Sequence, residues 1–141
     1  MKNAKIKVYT GPTLNAVDVE SKGATLITYP GYTLYPPQRI ELAESYADRV
    51  EGGESLIVLT QDDIIIRSVM LVVADGKLTP DEVEITYVDW SGDNIVQKEC
   101  KLAEDGRLEH AFPSGMFDES YNLLCEMMRL AGRKEKRGGK R

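Results

Sequence analysis

The sequence predicts an α/β fold, a parallel β-α-β crossover followed by an antiparallel hairpin and a C-terminal helix. Two short apolar runs, at 24–28 and 56–60, bracket a stretch whose apolar residues recur at helical spacing, and a second apolar helical stretch follows. Strand, helix, strand, helix is the order that a right-handed parallel crossover produces. After Thr79-Pro80 the period changes to two, as in strands with one covered face, and near the end it returns to helical spacing.

Lys5 to Thr10 alternates apolar with polar residues and reads as a strand. Ala24 to Thr28 is a shorter run, stopped by Tyr29-Pro30-Gly31. From Gln38 to Val50, residues Ile40, Ala43, Tyr46, Ala47 and Val50 line one helical face while Glu41, Glu44 and Asp48 lie off it, and Gly52-Gly53 ends the helix. Leu56 to Thr60 is apolar enough for a central parallel strand buried on both faces. Asp62 or Thr60 is placed to cap a helix that runs to Ala74 and is apolar around most of its circumference. Val83 to Val88 and Asn94 to Leu102 flank Trp90-Ser91-Gly92-Asp93 and read as an antiparallel hairpin. Phe117, Tyr121, Leu124, Met128 and Ala131 form one face of a last helix, with Gly132 as its stop. That helix is expected to dock on the sheet, its methionines filling core.

At 141 residues and 42% hydrophobic content the chain has the size and composition of one globular domain. No apolar run approaches the ~20 residues of a membrane span, and Met1-Lys2-Asn3-Ala4-Lys5 leads into no signal-peptide core, so a cytoplasmic protein without membrane contact is expected. Cys100 and Cys125 are too few for a disulfide framework and fall in no paired metal-ligand spacing; both read as reduced, core or half-buried thiols. The net charge of −5 is uneven: from Arg133 onward stand six basic residues and one acid, against twelve basic and twenty-two acidic residues in 1–132. Residues 1–132 read as a single α/β domain and 133–141 as a disordered basic tail with nothing apolar to bury. Arg133, Lys134, Lys136, Arg137, Lys140 and Arg141 would serve an electrostatic arm for nucleic acid or an acidic partner; the plain alternative is a solvated end that folds loosely back on the acidic body.

Four segments carry a family resemblance. Ala24 to Gln38, with Pro30, Pro36 and Gln38, is similar to an extended Walker B segment, "LLIENPEAHLHPxxQ". Ser55-Leu56-Ile57-Val58-Leu59-Thr60-Gln61-Asp62-Asp63, then Ile64-Ile65-Ile66-Arg67, resembles the strand-to-helix corner "VIVETHSE-hLLLR". Ala74 to Val83 with Tyr87-Val88 is similar to "EGKLSPEDVxIYYV", and Leu102 to Arg107 with Pro113 to Asp118 resembles "LDEDGRI…WPxGFFD". In that order and at about that spacing these are motifs of ABC-type ATPases of the overcoming-lysogenization-defect group, and the resemblance covers roughly residues 24–131. A fold hosts many functions, so the resemblance bears on architecture before chemistry.

The chemistry that the family needs is missing at the matching positions. Walker B acids polarise water and hold Mg²⁺. Here they fall on Thr28, Tyr29 and Gly31, which can do neither. The switch histidine falls on Gln61, the acid before it on Leu59, and the histidines of "HLHP" on Thr33 and Tyr35. Asp62 and Asp63 remain and read as helix caps. A phosphate loop needs a glycine-rich turn with a Lys and a Ser or Thr, and none is present; Gly11-Pro12-Thr13-Leu14-Asn15 is faintly similar to such a loop or to a degraded ABC signature, with the signature favoured. The single histidine, His110, has no nucleophile at motif spacing. Tyr29, Tyr32 and Tyr35 cluster at a Pro-Gly corner, where exposed aromatics would favour a partner surface and packed ones would not. The resemblance therefore implies a truncated, catalytically inactive ATPase-like domain, needing no cofactor or metal, that docks on an intact ATPase or on itself. Such ATPases sit in bacterial anti-phage systems beside a nuclease, so a companion or a decoy is expected; the alternative is a small nucleic-acid-binding protein using its basic tail.

Overall fold

Alternation decides the first strand. Ile6, Val8 and Thr10 are buried while Lys7 and Tyr9 between them are half-exposed, so β1 (Ile6–Thr10) turns one face to the core. The computed structural model describes residues 4–14, 19–31, 33–109 and 119–138, with the side chains of the last helix given over 123–133. The chain divides into two units, Met1–Ala111 and Phe112–Arg141.

In the first unit β2 (Thr25–Thr28), β3 (Leu56–Leu59), β4 (Val83–Ser91) and β5 (Asn94–Cys100) join β1 in one sheet of order β2-β3-β1-β4-β5. The first four strands run parallel; β5 returns antiparallel to β4. Between β2 and β3 runs α1 (Pro36–Glu51), and between β3 and β4 runs α2 (Asp63–Ala74). Both crossovers step in the same direction along the sheet, so right-handed connections put both helices on one face, where they pack on each other.

The register lines up the buried residues. Ile6 stands beside Leu56 and Val83, and Val8 beside Val58 and Ile85, with Ile27 on the far side of Val58. Ala43, Tyr46, Ala47 and Val50 of α1 and Ile65, Ile66, Val69, Val72 and Val73 of α2 close over this row. Side chains such as Ile6, Val8, Leu56, Ile65 and Ile85 are wholly buried, each contributing about 1.5–3 kcal/mol of transfer free energy.

Helix starts follow their local chemistry. α1 begins two residues ahead of the expected Gln38, because prolines are tolerated at the first helical positions, where the amide has no partner to lose. The Tyr35 amide donates to Gln38 Oε1 at 3.1 Å, which explains the pairing of those two residues in the sequence. Asp62 caps α2, accepting from the amides of Ile64 at 2.9 Å and Ile65 at 3.3 Å. The hairpin forms as expected, except that Trp90 and Ser91 belong to β4 and the turn narrows to Gly92 and Asp93.

In the second unit the described residues form one helix, α3 (Glu119–Gly138). It runs through Gly132 to Gly138, so the expected stop at Gly132 is corrected. An isolated glycine costs a helix only about 1 kcal/mol, and the Arg, Lys and Glu beyond it are good helix formers. Its described side chains, 123–133, are all exposed, among them Leu124 and Met128 of the face expected to fill core. Cys125 is exposed as well, whereas Cys100 is buried as expected. No described helix is long and apolar enough to cross a membrane.

Candidate functional site

The strand order marks one end of the sheet. From β1 the chain passes over β3 to reach β2, and from β3 it passes over β1 to reach β4. Neighbouring strands thus send their connections opposite ways, and in open α/β sheets such a switch point opens the ligand crevice outside the carboxyl ends of the strands. Those ends carry Gly11 after β1, Thr28-Tyr29 after β2 and Thr60-Gln61-Asp62 after β3. Residues far apart in sequence, three of them positions that the resemblance singled out, Thr28, Tyr29 and Gln61, are therefore assembled along one edge.

The loop after β1, Gly11-Pro12-Thr13-Leu14, lies at the carboxyl end of a central strand; Asn15 lies outside the described residues. Its donors point inward. The Thr13 amide donates to the Val88 carbonyl at 3.4 Å and the Leu14 amide to the Gly11 carbonyl at 3.3 Å. Pro12 has no amide to offer. Gly11, at φ 123°, is explained by packing: a Cβ there would sit 2.2 Å from the Val88 oxygen. Thr13 Oγ1 is buried without a hydrogen-bond partner.

Gln61 spans the switch point. Its Nε2 donates to the Gly11 carbonyl at 3.0 Å, tying the end of β3 to the loop after β1. A hydrogen bond of this kind is worth about 0.5–1.5 kcal/mol net. Gln61 is thus engaged with the protein's own backbone.

At the end of β2, Thr28 is exposed and pairs in register with Leu59, and the Tyr29 amide donates to the Leu59 carbonyl at 2.7 Å. Tyr29 has φ 48°, the one described non-glycine residue in the left-handed region. Gly31, at φ 72°, turns its carbonyl to Arg39 Nε at 3.0 Å. The same guanidinium reaches Asp62 Oδ2 at 3.0 Å through Nη1. Arg39 therefore clamps the turn after β2 to the cap of α2. Sequence reasoning missed Arg39, although a lone cation next to the retained Gln38 and ahead of an apolar helical face was a usable signal.

Two of the three tyrosines flank this edge, Tyr29 at 40% and Tyr35 at 79% exposure; Tyr32 lies outside the described residues, as does His110. Of the basic cluster, Arg133 is exposed, Lys134, Lys136 and Arg137 fall on α3 without described side chains, and Lys140 and Arg141 lie outside the described residues. Among the described residues no group of three or more His, Cys, Asp or Glu is placed to hold a metal ion. A cleft of about 880 Å³ opens at the opposite, amino-terminal end of β1 and β4, where Asp81, Glu84, Glu99, Glu104 and Glu109 outnumber Lys5 and Lys101. Lys5 is 3.3 Å from Glu84. This cleft shares no residue with the switch-point edge, which is the better candidate because its position follows from the topology.

Comparison of the chain with protein-family models, with curated proteins and with solved structures gives no match.

Proposed function

We propose that this chain is a catalytically inactive ATPase-like domain that acts by binding protein, as a companion or decoy of an intact ATPase in anti-phage defence or its evasion. One observation supports the reading above the others: the Gln61 side chain is bonded to the Gly11 carbonyl across the crevice, at the point where an ATPase would sense its nucleotide. The amides of Thr13 and Leu14 are already directed at internal carbonyls, and Thr28, Tyr29 and Gly31 bring no carboxylate to the end of β2. Among the described residues, the loop after β1 thus keeps the Thr13 and Leu14 amides from a phosphate, and the end of β2 brings no metal ligand.

The same edge does offer aromatic surface. Tyr29 and Tyr35 expose large, stiff side chains beside backbone already satisfied by Arg39 and Gln38, the kind of anchor that dominates protein interfaces. Catalysis and binding are separated by two measurements on the purified chain. Calorimetry with Mg-ATP is expected to give no heat of binding, and a micromolar site would overturn the inactive reading. Titration against an intact ATPase of the resembled group is expected to lose at least ~2 kcal/mol on Tyr29→Ala with Tyr35→Ala, the size of an interface hot spot. Unchanged affinity in a double variant with a native circular dichroism spectrum removes this edge as the partner surface.

A further inference from the structure

β2 ends the parallel sheet, and among the described residues no strand pairs with its outer side. The Thr25 amide donates to the Ser55 carbonyl at 2.9 Å and the Tyr29 amide to the Leu59 carbonyl at 2.7 Å, so odd-numbered residues point their backbone groups toward β3. Strand geometry then turns the amides and carbonyls of Leu26 and Thr28 outward. Proteins guard such rows with charge, proline or a bulge. Thr25-Leu26-Ile27-Thr28 has no charged residue and no proline, three of its four residues are exposed, and Leu26 is 44% exposed. The opposite edge strand, β5, carries Lys98 and Glu99.

We propose that β2 pairs with β2 of a second copy, antiparallel about a two-fold axis at Ile27, joining two five-stranded sheets into one. The inference does not depend on the ATPase reading. With the axis at Ile27, Leu26 of each copy faces Thr28 of the other as a hydrogen-bonded pair, giving four N–H···O=C bonds, and Ile27 faces itself at a non-hydrogen-bonded position with Cα atoms about 4.5 Å apart. Self-pairing is favoured over a foreign strand because an isologous contact sets each residue against itself or its symmetry mate. A charged residue would there meet its own charge; all four positions of β2 are neutral, so the two-fold juxtaposes only methyl-bearing side chains. So short an edge predicts a weak dimer, in the micromolar range.

The test is sedimentation velocity on the full chain across the micromolar range. Reversible dimerisation is expected. Leu26→Lys places like charges across the axis, and Thr28→Pro removes an outward amide without touching the bonds to β3; each is expected to weaken the dimer at least ~10-fold while circular dichroism stays native. Independently, Ile27→Cys in a Cys125→Ser background is expected to form a disulfide-linked dimer under mild oxidation. A chain that stays monomeric and gives no cross-link overturns the proposal. So does a dimer whose affinity neither edge variant alters.

Discussion

Asp62 performs two tasks with its two oxygens, and substitution separates them. Oδ1 caps α2 through the amides of Ile64 and Ile65, and Oδ2 lies 3.0 Å from Arg39, which in turn holds the Gly31 carbonyl. Asp62→Asn keeps a capping oxygen and removes the charge. Loss of a cap costs about 1 kcal/mol, within a range of 0.5–2. The ion pair is 23% and 16% exposed, between the 0–1 kcal/mol of surface pairs and the 3–5 that follow when one partner of a buried pair is removed, so about 1.5 kcal/mol is expected for it. Asp62→Asn should therefore destabilise by about 1–2 kcal/mol and Asp62→Ala by about 2–3. Urea denaturation followed by far-ultraviolet circular dichroism measures both, and a cycle with Arg39→Met isolates the pair. Equal losses in Asn and Ala would show that the cap contributes nothing. A loss under ~0.5 kcal/mol in Asp62→Ala would refute the clamp altogether.

Two further outcomes follow from the chemistry of single side chains. Glu54 accepts from Arg49 and from Thr25 Oγ1, and these bonds hold its carboxyl down from 4.5 to about 2. Because the folded value is depressed, the stability Glu54 contributes is full above pH 4.5 and is lost as pH falls through 2, so Glu54→Gln should flatten the acid side of a thermal-midpoint profile; an unchanged slope there would count against the pair. Burial pushes the Cys100 thiol up, while Cys125 is exposed. An aromatic disulfide reagent should label one thiol at once and the second only on unfolding, and two fast thiols would contradict the packing of β5.

Local features were legible in the sequence because each is written in a few consecutive residues. Alternation through Ile6 and Val8, the helical stripe Ala43, Tyr46, Ala47, Val50, the cap Asp62 and the hairpin around Gly92 all emerge where they were expected. What stayed hidden depends on long-range order. No periodicity says that β1 inserts between β3 and β4, yet that insertion is what brings Gly11 beside Gln61. Arg39 was overlooked for the same reason, since both of its acceptors are fixed by the turn after β2 and the start of α2. α3 was cut short because glycine was weighed as a terminator without the helix-forming Arg and Lys on either side of it.

Tyr29 sets a backbone cost against the partner role proposed for it. A left-handed backbone costs an ordinary side chain about 1–2 kcal/mol that glycine would be spared. Selection for thermostability alone should therefore favour Tyr29→Gly, and with it the removal of an aromatic ring from the end of β2. On the proposed reading of Tyr29 as a partner anchor, heat-resistant variants that carry that change are expected to be the ones whose partner titrations fail, so that a screen run for stability would test that reading without being designed to.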